Sequence, residues 1–241
     1  MTIFAADASG RTSSAAVVKD GELIFESFMN KGLTHSETFL TLCDTVFSGA
    51  GCGPADIDCY AVTRGPGSFT GLRIGMGVVK GLAFPFNTPC AAVSTLEALA
   101  KSVLFSDAVI TPVIDARRDR VYCAAFLMRL DGELVRLLDD AVLSLDELKT
   151  KLLEFRLPVL FVGDARESCG AFSAEDLAVL TVPGFAGYLR ASFVAEAAAS
   201  QIARGETVPA ERLAPVYLQQ SQAERELERK GREDRDDSVG E

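Results

Sequence analysis

The sequence predicts an α/β protein made of two similar lobes. In the first half, short apolar segments and helix-length segments follow one another in the order β-β-β-α-β-α. A second series of mainly β segments begins near Asp107. Two halves of similar order are typical of a duplicated lobe and not of one interrupted sheet. A chain of 241 residues is long enough for two small domains.

The elements of the first lobe, residues 1–106, follow from apolar periodicity and turn residues. Strands are predicted over 3–8, 13–18 and 22–28, and a turn at Asp20 and Gly21 joins the last two as a hairpin. A helix over 36–47 carries an apolar stripe at helical spacing. A strand over 59–62, a glycine loop and a helix ending near Phe84 come next. A strand over 91–93 and a helix over 95–103 complete the lobe.

The second lobe, residues 107–220, is predicted to be smaller and degenerate. Its strands are expected over 109–115, 121–128, 134–138, 159–162 and 177–181, and its helices over 144–155 and 191–203. Ser144 and Glu147 predict a capping box at the start of the first helix. Pro112 predicts an edge or bulged strand. Residues 221–241 are mostly charged and lack an apolar stripe, so we expect a disordered tail.

Composition excludes several classes of protein. The net charge of −10 makes the chain a poor primary binder of RNA or DNA. Six cysteines without a C-x-x-C pair argue against a zinc site and a disulfide framework, and favour buried free thiols in a reducing compartment. No signal peptide or membrane-spanning run is evident. We therefore expect a cytoplasmic protein without membrane contact.

A single histidine limits the possible chemistry. His35 cannot form a H-x-x-x-H or H-E-x-x-H metal pair, and the sequence predicts no metal site. Thr34 and Glu37 have the spacing of a capping box around it. The sequence therefore indicates a first-turn helix residue and no catalytic residue.

The run RGPGSFTGLRIG at residues 64–75 is the most informative feature of the chain. A glycine turn between a strand and a helix is a common anion site, but this spacing fits neither the P-loop nor the dinucleotide fingerprint. Four glycines, Gly71, Gly75, Gly77 and Gly81, fall inside the helix, and each costs about 1 kcal/mol relative to alanine. The helix is apolar almost all round. It is either a central core helix, or it packs on its own sheet with one face and on another protein with the other.

Carboxylates end the first strand of each predicted lobe. Asp7 is followed by Ser9, and Asp115 is followed by Arg117. ATPases of the actin and sugar-kinase type begin with such a strand and hairpin, and use its aspartate for a metal–phosphate unit. A second Gly-Gly phosphate turn is not evident in this chain. These four residues are either vestigial nucleotide ligands or ordinary turn residues.

The run at 64–75 resembles the signature of the TsaB (YeaZ) family. Four further features match that family in order: VSTL at 93–96, IDAR at 114–117, Tyr122, and PVYL at 215–218. The resemblance covers about residues 1–220. Gln219 stands where the family often has arginine, and the charged extension after residue 221 is specific to this chain. The resemblance implies a two-lobed actin-like fold of the sugar kinase–Hsp70 (ASKHA, ribonuclease H-like) class.

The resemblance also implies a function. The family is the non-catalytic member of the bacterial machinery that makes N6-threonylcarbamoyladenosine at position 37 of tRNAs reading ANN codons. Its paralogue TsaD carries the histidine metal site and TsaE is an associated ATPase. The resemblance implies a scaffold or activator that dimerises with TsaD, or with a second copy when alone. It implies contact with tRNA only through the complex, no cofactor of its own, and ATP with Mg²⁺ at the complex interface.

In this family the two N-lobe helices form the partner interface. Ten residues of these helices are the predicted contacts: Phe39, Leu42, Cys43, Val46, Gly71, Arg73, Ile74, Gly75, Val78 and Lys80. We expect a bulky residue at Gly75 to block association and to spare the fold. Two other functions stay open: an actin-like ATPase or phosphotransferase that uses Asp7, Ser9 and Asp115, and a glycoprotease-like peptidase, which the lack of a nucleophile–base pair disfavours.

Overall fold

The computed structural model describes residues 1–31, 35–103, 107–130, 132–172, 177–180 and 182–219. The predicted cap at Thr34 and the tail at 221–241 lie outside these residues. In the part of the chain described, no helix is long and apolar enough to cross a membrane.

The first sheet contains five strands in the order β3-β2-β1-β4-β5. The strands are β1 (Thr2–Asp7), β2 (Ser13–Lys19), β3 (Glu22–Met29), β4 (Cys59–Gly65) and β5 (Cys90–Ser94). The first three strands form an antiparallel meander, and β4 and β5 run parallel to β1.

The second sheet repeats this plan. Its strands are β6 (Val109–Asp115), β7 (Arg120–Met128), β8 (Leu134–Ser144), β9 (Val159–Val162) and β10 (Val179–Leu180), in the order β10-β9-β6-β7-β8. Again three antiparallel strands are followed by two parallel ones. The duplicated, two-lobed fold of the actin-like class is therefore confirmed.

Five helices complete the layers: α1 (His35–Ala50), α2 (Phe69–Ala83), α3 (Thr95–Ala100), α4 (Leu145–Leu153) and α5 (Ala191–Ala203). Helices α1 and α2 cover the outer face of the first sheet, and α4 covers the outer face of the second. Helices α3 and α5 lie between the two sheets in one shared core. Ser144 and Glu147 cap α4 as predicted.

The prediction of an edge or bulged strand at Pro112 is wrong. Strand β6 is central, between β9 and β7. Its pairing with β7 is interrupted after Ile110 and resumes at Val113 in the same register, so the proline, which has no N–H, lies where this ladder has no pair.

The end of the chain returns to the first sheet. Helix α5 lies in the core shared by both sheets, and Val208 pairs with Cys90 of β5.

One edge of the two sheets is joined by a polar network. Arg136 on β8 forms ion pairs with Glu97 of α3 at 3.0 Å and with Asp140. Ser94 caps α3 and donates its hydroxyl to Asp140 at 2.6 Å. The guanidinium also lies 4.6 Å from the centre of the Phe126 ring. This network ties the first lobe to the second.

Candidate functional site

The two inner glycines of α2 face its own sheet, and Gly71 is required there because the helix approaches the backbone closely. A Cβ at Gly71 would lie 2.0 Å from the carbonyl oxygen of Ala8. A Cβ at Gly75 would lie 3.6 Å from the Cβ of Ala8 and 3.7 Å from Val62. Both distances are ordinary van der Waals contacts, so alanine would fit at Gly75, whereas a longer side chain would have to displace Ala8 or Val62. A bulky residue at Gly75 is therefore expected to strain the fold as well, which the sequence did not predict.

The outer glycines of α2 face solvent. A Cβ at Gly77 or at Gly81 would meet nothing within 4 Å. They lie four residues apart, on one side of the helix. Ile74 and Val78 beside them are only half-buried. The helix thus has two faces that are built differently, and the outer face combines small and apolar residues.

The predicted interface residues divide between the core and the surface. Six of them are buried within this chain and offer no surface to a partner: Phe39, Leu42, Cys43, Val46, Gly71 and Gly75. They hold α1 and α2 on the first sheet. The other four, Arg73, Ile74, Val78 and Lys80, reach the surface. The predicted contacts omit two exposed apolar side chains of this region, Leu40, at 54 %, and Phe84, at 59 %.

The last described segment, residues 207–219, forms a strap along α2. The N–H of Val216 donates to the carbonyl of Arg64 at 2.7 Å. Arg73 donates from Nε to the Tyr217 hydroxyl at 3.0 Å and lies over the Phe69 ring. The rings of Phe69 and Tyr217 stack at 4.5 Å. The PVYL motif at 215–218 is thus a structural partner of the glycine run.

The glycine loop before α2 binds its own chain. Ser68 caps the helix by accepting from the N–H of Gly71 at 3.2 Å. The N–H of Ser68 donates to the carbonyl of Ser9 at 2.6 Å, and that of Leu72 to Ser68. At Gly67, with φ near +158°, a Cβ would lie 2.4 Å from the same Ser9 carbonyl. The loop is therefore a turn that lets the helix approach the sheet, and those amides are not available to a phosphate.

A cleft of about 470 Å³ lies between the lobes. Ser9, Asp115 and Arg117 all line it, together with Asp164 at the end of β9. Asp115 accepts from the N–H of Arg117 at 2.7 Å, and its own N–H donates to Asp164 at 3.1 Å. Burial raises the pKa of Asp164. Three of the four predicted nucleotide residues are thus brought to one cleft.

Asp7 lies beside that cleft and is buried. Its side chain is 1 % exposed, and Oδ1 accepts from Ser9 N, Ser9 Oγ and Thr63 Oγ1 at 2.6–3.0 Å. Oδ2 has no hydrogen-bond partner. Burial raises the pKa of this carboxyl. Asp7 lines a smaller cavity that adjoins the cleft and shares Ser9 and Asp164 with it, whereas Asp7 is not among the residues that line the cleft itself.

His35 begins α1, and its Nε2 lies 2.9 Å from the carbonyl oxygen of Gly10. Among the described residues, no group of three or more His, Cys, Asp or Glu side chains could hold a metal ion. The cysteines are all free, and five of the six are buried. The histidine thus joins the start of α1 to the loop that follows β1.

The comparisons with known proteins all name proteins of threonylcarbamoyladenosine formation. The family model "TsaD: tRNA N6-adenosine threonylcarbamoyltransferase" matches residues 32–226. The chain is 34 % identical to the "tRNA threonylcarbamoyladenosine biosynthesis protein TsaB" of Bacillus subtilis over 163 residues, which are 68 % of this chain and 71 % of that protein. It is 29 % identical to the protein of the same name from Escherichia coli over 229 residues, 94 % and 98 % of the two chains.

A solved structure of a protein with the family's second name is also similar to this chain. "YeaZ from Pseudomonas aeruginosa" has a TM-score of 0.74 with this chain at 29 % identity, and the match covers 90 % of this chain and 99 % of that one. The chain therefore belongs to the TsaB (YeaZ) family.

Proposed function

We propose that this chain is a non-catalytic scaffold subunit of the assembly that makes threonylcarbamoyladenosine at position 37 of tRNAs reading ANN codons. In this proposal it docks the outer face of α1 and α2 on the paralogous TsaD protein, which performs the transfer. TsaE joins the same assembly, and tRNA is contacted through the complex. Because the substrate is tRNA, we place the assembly in the cytoplasm.

The outer glycines of α2 are the observation that carries the proposal. Gly77 and Gly81 each cost the helix about 1 kcal/mol relative to alanine. Nothing within 4 Å of either position explains a need for glycine in the isolated chain. Close approach of another helix would explain both. The exposed Leu40 and the half-buried Ile74 and Val78 supply apolar surface around them.

The strap supports the same surface from one side. It fixes Arg73 through Tyr217 and Phe69, and its Glu211 carbonyl accepts from Lys80 at 3.5 Å. Two of the four predicted contacts that reach the surface are thus held in place before a partner arrives. Preorganised side chains lose less conformational freedom when they bind.

The rival function is an ATPase or phosphotransferase of the actin-like type. That chemistry needs carboxylates that face one nucleotide cleft. The free oxygen of Asp7 faces a cavity of about 30 Å³, whereas Asp115 faces the cleft of about 470 Å³. The two carboxylates thus line different, adjoining cavities, and this arrangement disfavours a Mg²⁺–nucleotide site within this chain. We place any ATP and Mg²⁺ at the interface with TsaD, and we derive no step through them.

Light scattering after size exclusion tests the proposal, on this chain alone and mixed with the TsaD of the same organism. We expect a homodimer alone and a one-to-one complex in the mixture. Gly77→Arg should weaken that complex by at least about 100-fold, because an arginine side chain would hold the helices apart. Thr150→Arg, on the exposed side of α4, adds the same charge and should bind normally.

Failure to form a complex under any nucleotide condition would overturn the docking proposal. If both variants bind TsaD equally well, the interface does not include the outer face of α2. Mg²⁺-dependent hydrolysis of ATP by the isolated chain, abolished in Asp7→Asn, would instead support the rival enzyme.

A further inference from the structure

The charges on the outer face of α1 and α2 are separated by helix. Helix α1 carries two side chains that are charged at pH 7, Glu37 and Asp44, and both are acidic. Helix α2 also carries two, Arg73 and Lys80, and both are basic. All four reach the surface. The face therefore presents an acidic helix beside a basic one.

These four charges have no opposite charge within the chain. Among the residues that the structure describes, none of the four side chains forms an ion pair. Arg73 donates to the hydroxyl of Tyr217, and Lys80 donates to the backbone carbonyl of Glu211. Both acceptors are uncharged. Each cation keeps further N–H donors, because a guanidinium has five and an ammonium has three.

The spacing of the charges is the same on the two helices. Glu37 and Asp44 are seven residues apart, and so are Arg73 and Lys80. Seven residues make about two turns, or about 10 Å along a helix axis. The acidic pair and the basic pair would therefore match in length if α2 of one copy lay along α1 of a second copy.

The two helices run in the same direction. Strands β3 and β4 both run parallel to β1, and α1 joins them. Helix α2 joins the parallel strands β4 and β5, so both helices run opposite to these strands.

The two helices also begin beside the same turn. Nε2 of His35, in α1, lies 2.9 Å from the carbonyl oxygen of Gly10. The N–H of Ser68, the cap of α2, donates to the carbonyl of Ser9. The first charge of α1 is thus at a similar height to the first charge of α2, and the second to the second.

A second copy can face this one in two symmetric ways. If the two-fold axis is parallel to the helices, α2 faces α1 of the second copy, and unlike charges meet. If the axis lies in the interface but across the helices, each helix faces its own equivalent, and like charges meet. Like charges that face each other destabilise an interface, so the charge pattern favours the first arrangement.

We propose that the isolated chain forms a two-fold dimer in which α2 packs on α1 of the second copy. Arg73 then lies opposite Glu37 of the second copy, and Lys80 lies opposite Asp44 of the second copy. Symmetry repeats both pairs. The apolar and glycine residues of the outer face form the centre of the contact, and the charged pairs form its rim. This arrangement rests on the proposed docking role of the outer face.

A charge exchange tests the arrangement, with the dissociation constant of the homodimer measured by sedimentation of a dilution series at low salt. Lys80→Glu replaces an attractive pair by a repulsive one at two symmetric sites, and should raise the dissociation constant about 10-fold. Asp44→Lys should also raise it about 10-fold. The double variant exchanges the two charges and should dimerise like the parent protein.

Two controls exclude a general effect of net charge. Lys151→Glu, on the exposed side of α4, makes the same change of charge as Lys80→Glu and should leave the dissociation constant unchanged. Lys80→Glu makes the chain more acidic, whereas Asp44→Lys makes it less acidic. Repulsion between two acidic copies therefore cannot explain a weaker dimer in both. If Lys80→Glu does not fold, the exposed Asp44→Lys decides the matter.

A tighter dimer in Lys80→Glu would overturn the proposal, because it would mean that α2 faces α2. Single variants that dimerise like the parent, or a double variant no better than the single ones, would overturn it as well. So would a parent protein that stays monomeric. Binding of TsaD is measured separately in the mixture, and a complex there leaves the proposed function intact, so the two proposals fail separately.

Discussion

At the scale of single residues, glycine serves two purposes in one helix. Gly71 brings α2 against the carbonyl of Ala8, where no side chain fits. Gly77, six residues later, borders open space. Only the first of these is explained by the fold of the isolated chain.

Alanine substitutions should separate the two roles. Gly71→Ala should lower the free energy of unfolding by about 1–3 kcal/mol, because the new methyl group would overlap β1. Gly77→Ala should raise it by about 0.5–1 kcal/mol, because alanine favours the helix and meets no neighbour. Urea unfolding followed by circular dichroism measures both. Similar changes in the free energy of unfolding of the two variants would contradict the conclusion that Gly71 faces the sheet and Gly77 faces solvent.

The sequence predicts the residue types of the site better than their surroundings. Asp7 at a strand end and Ser68 at a helix start are both recognisable from local pattern. Which cavity receives Asp7 depends on how the second lobe closes over Gly163 and Leu189, and no local pattern encodes that packing. Periodicity also selected Phe39 and Val46 as contacts, because an apolar stripe looks the same whether its own sheet or a partner covers it.

At the scale of elements, α3 connects the lobes through its first turn. Ser94 accepts from the N–H of Glu97 at 3.3 Å as the helix cap. The same hydroxyl donates to Asp140 on β8. One side chain thus completes a helix end and contacts the other sheet.

Ser94→Ala should lower the free energy of unfolding by about 2 kcal/mol, the sum of a lost cap and a lost bond to a carboxylate. Ser144→Ala removes the cap of α4, which makes no contact between lobes, and should cost about 1 kcal/mol. Denaturant unfolding of both variants gives the difference. A loss in Ser94→Ala no larger than in Ser144→Ala would mean that the bond to Asp140 contributes nothing.

Most elements were predictable because each has a local signal. The hairpins, the capping box of α4 and the glycine loop are each recognisable from a few consecutive residues. Pro112 misled the prediction because an edge strand is the usual place for a proline, whereas here the ladder itself has a gap at that point. The return of α5 to the first sheet has no local signal, since it depends on contacts far apart in sequence.

At the scale of the whole molecule, the two sheets share their middle layer. Residues from β1, α3, β6 and α5 form one continuous apolar cluster. The lobes are therefore not independent cores. Buried cysteines lie in this cluster and in both outer ones, at Cys59, at Cys43 and Cys90, and at Cys123 and Cys169.

The reactivity of these thiols should show when each layer of the molecule unfolds. Burial raises the pKa of Cys43, Cys59, Cys123 and Cys169 to about 12, so they hold almost no thiolate near neutral pH. In the native protein only the partly exposed Cys52 should react rapidly with a thiol reagent.

In urea the five buried thiols should become reactive together at one midpoint, because the shared layer couples the lobes. Reaction with an absorbing disulfide reagent, followed by peptide mapping, measures each site. If Cys123 and Cys169 react at a lower urea concentration than the other buried cysteines, the second lobe unfolds on its own.

The late position of α5 in the chain has a consequence for synthesis on the ribosome. The strands of the first sheet are complete once residue 94 has been made. The side of that sheet on which α5 packs is covered by this helix only after residues 191–203 have been made. At ordinary elongation rates of about 5–20 residues per second, that interval lasts about 5–20 seconds. Throughout it the nascent chain carries an uncovered apolar face. The small alanines of α5, which let two sheets close on one helix, thus complete the shared core only late in synthesis.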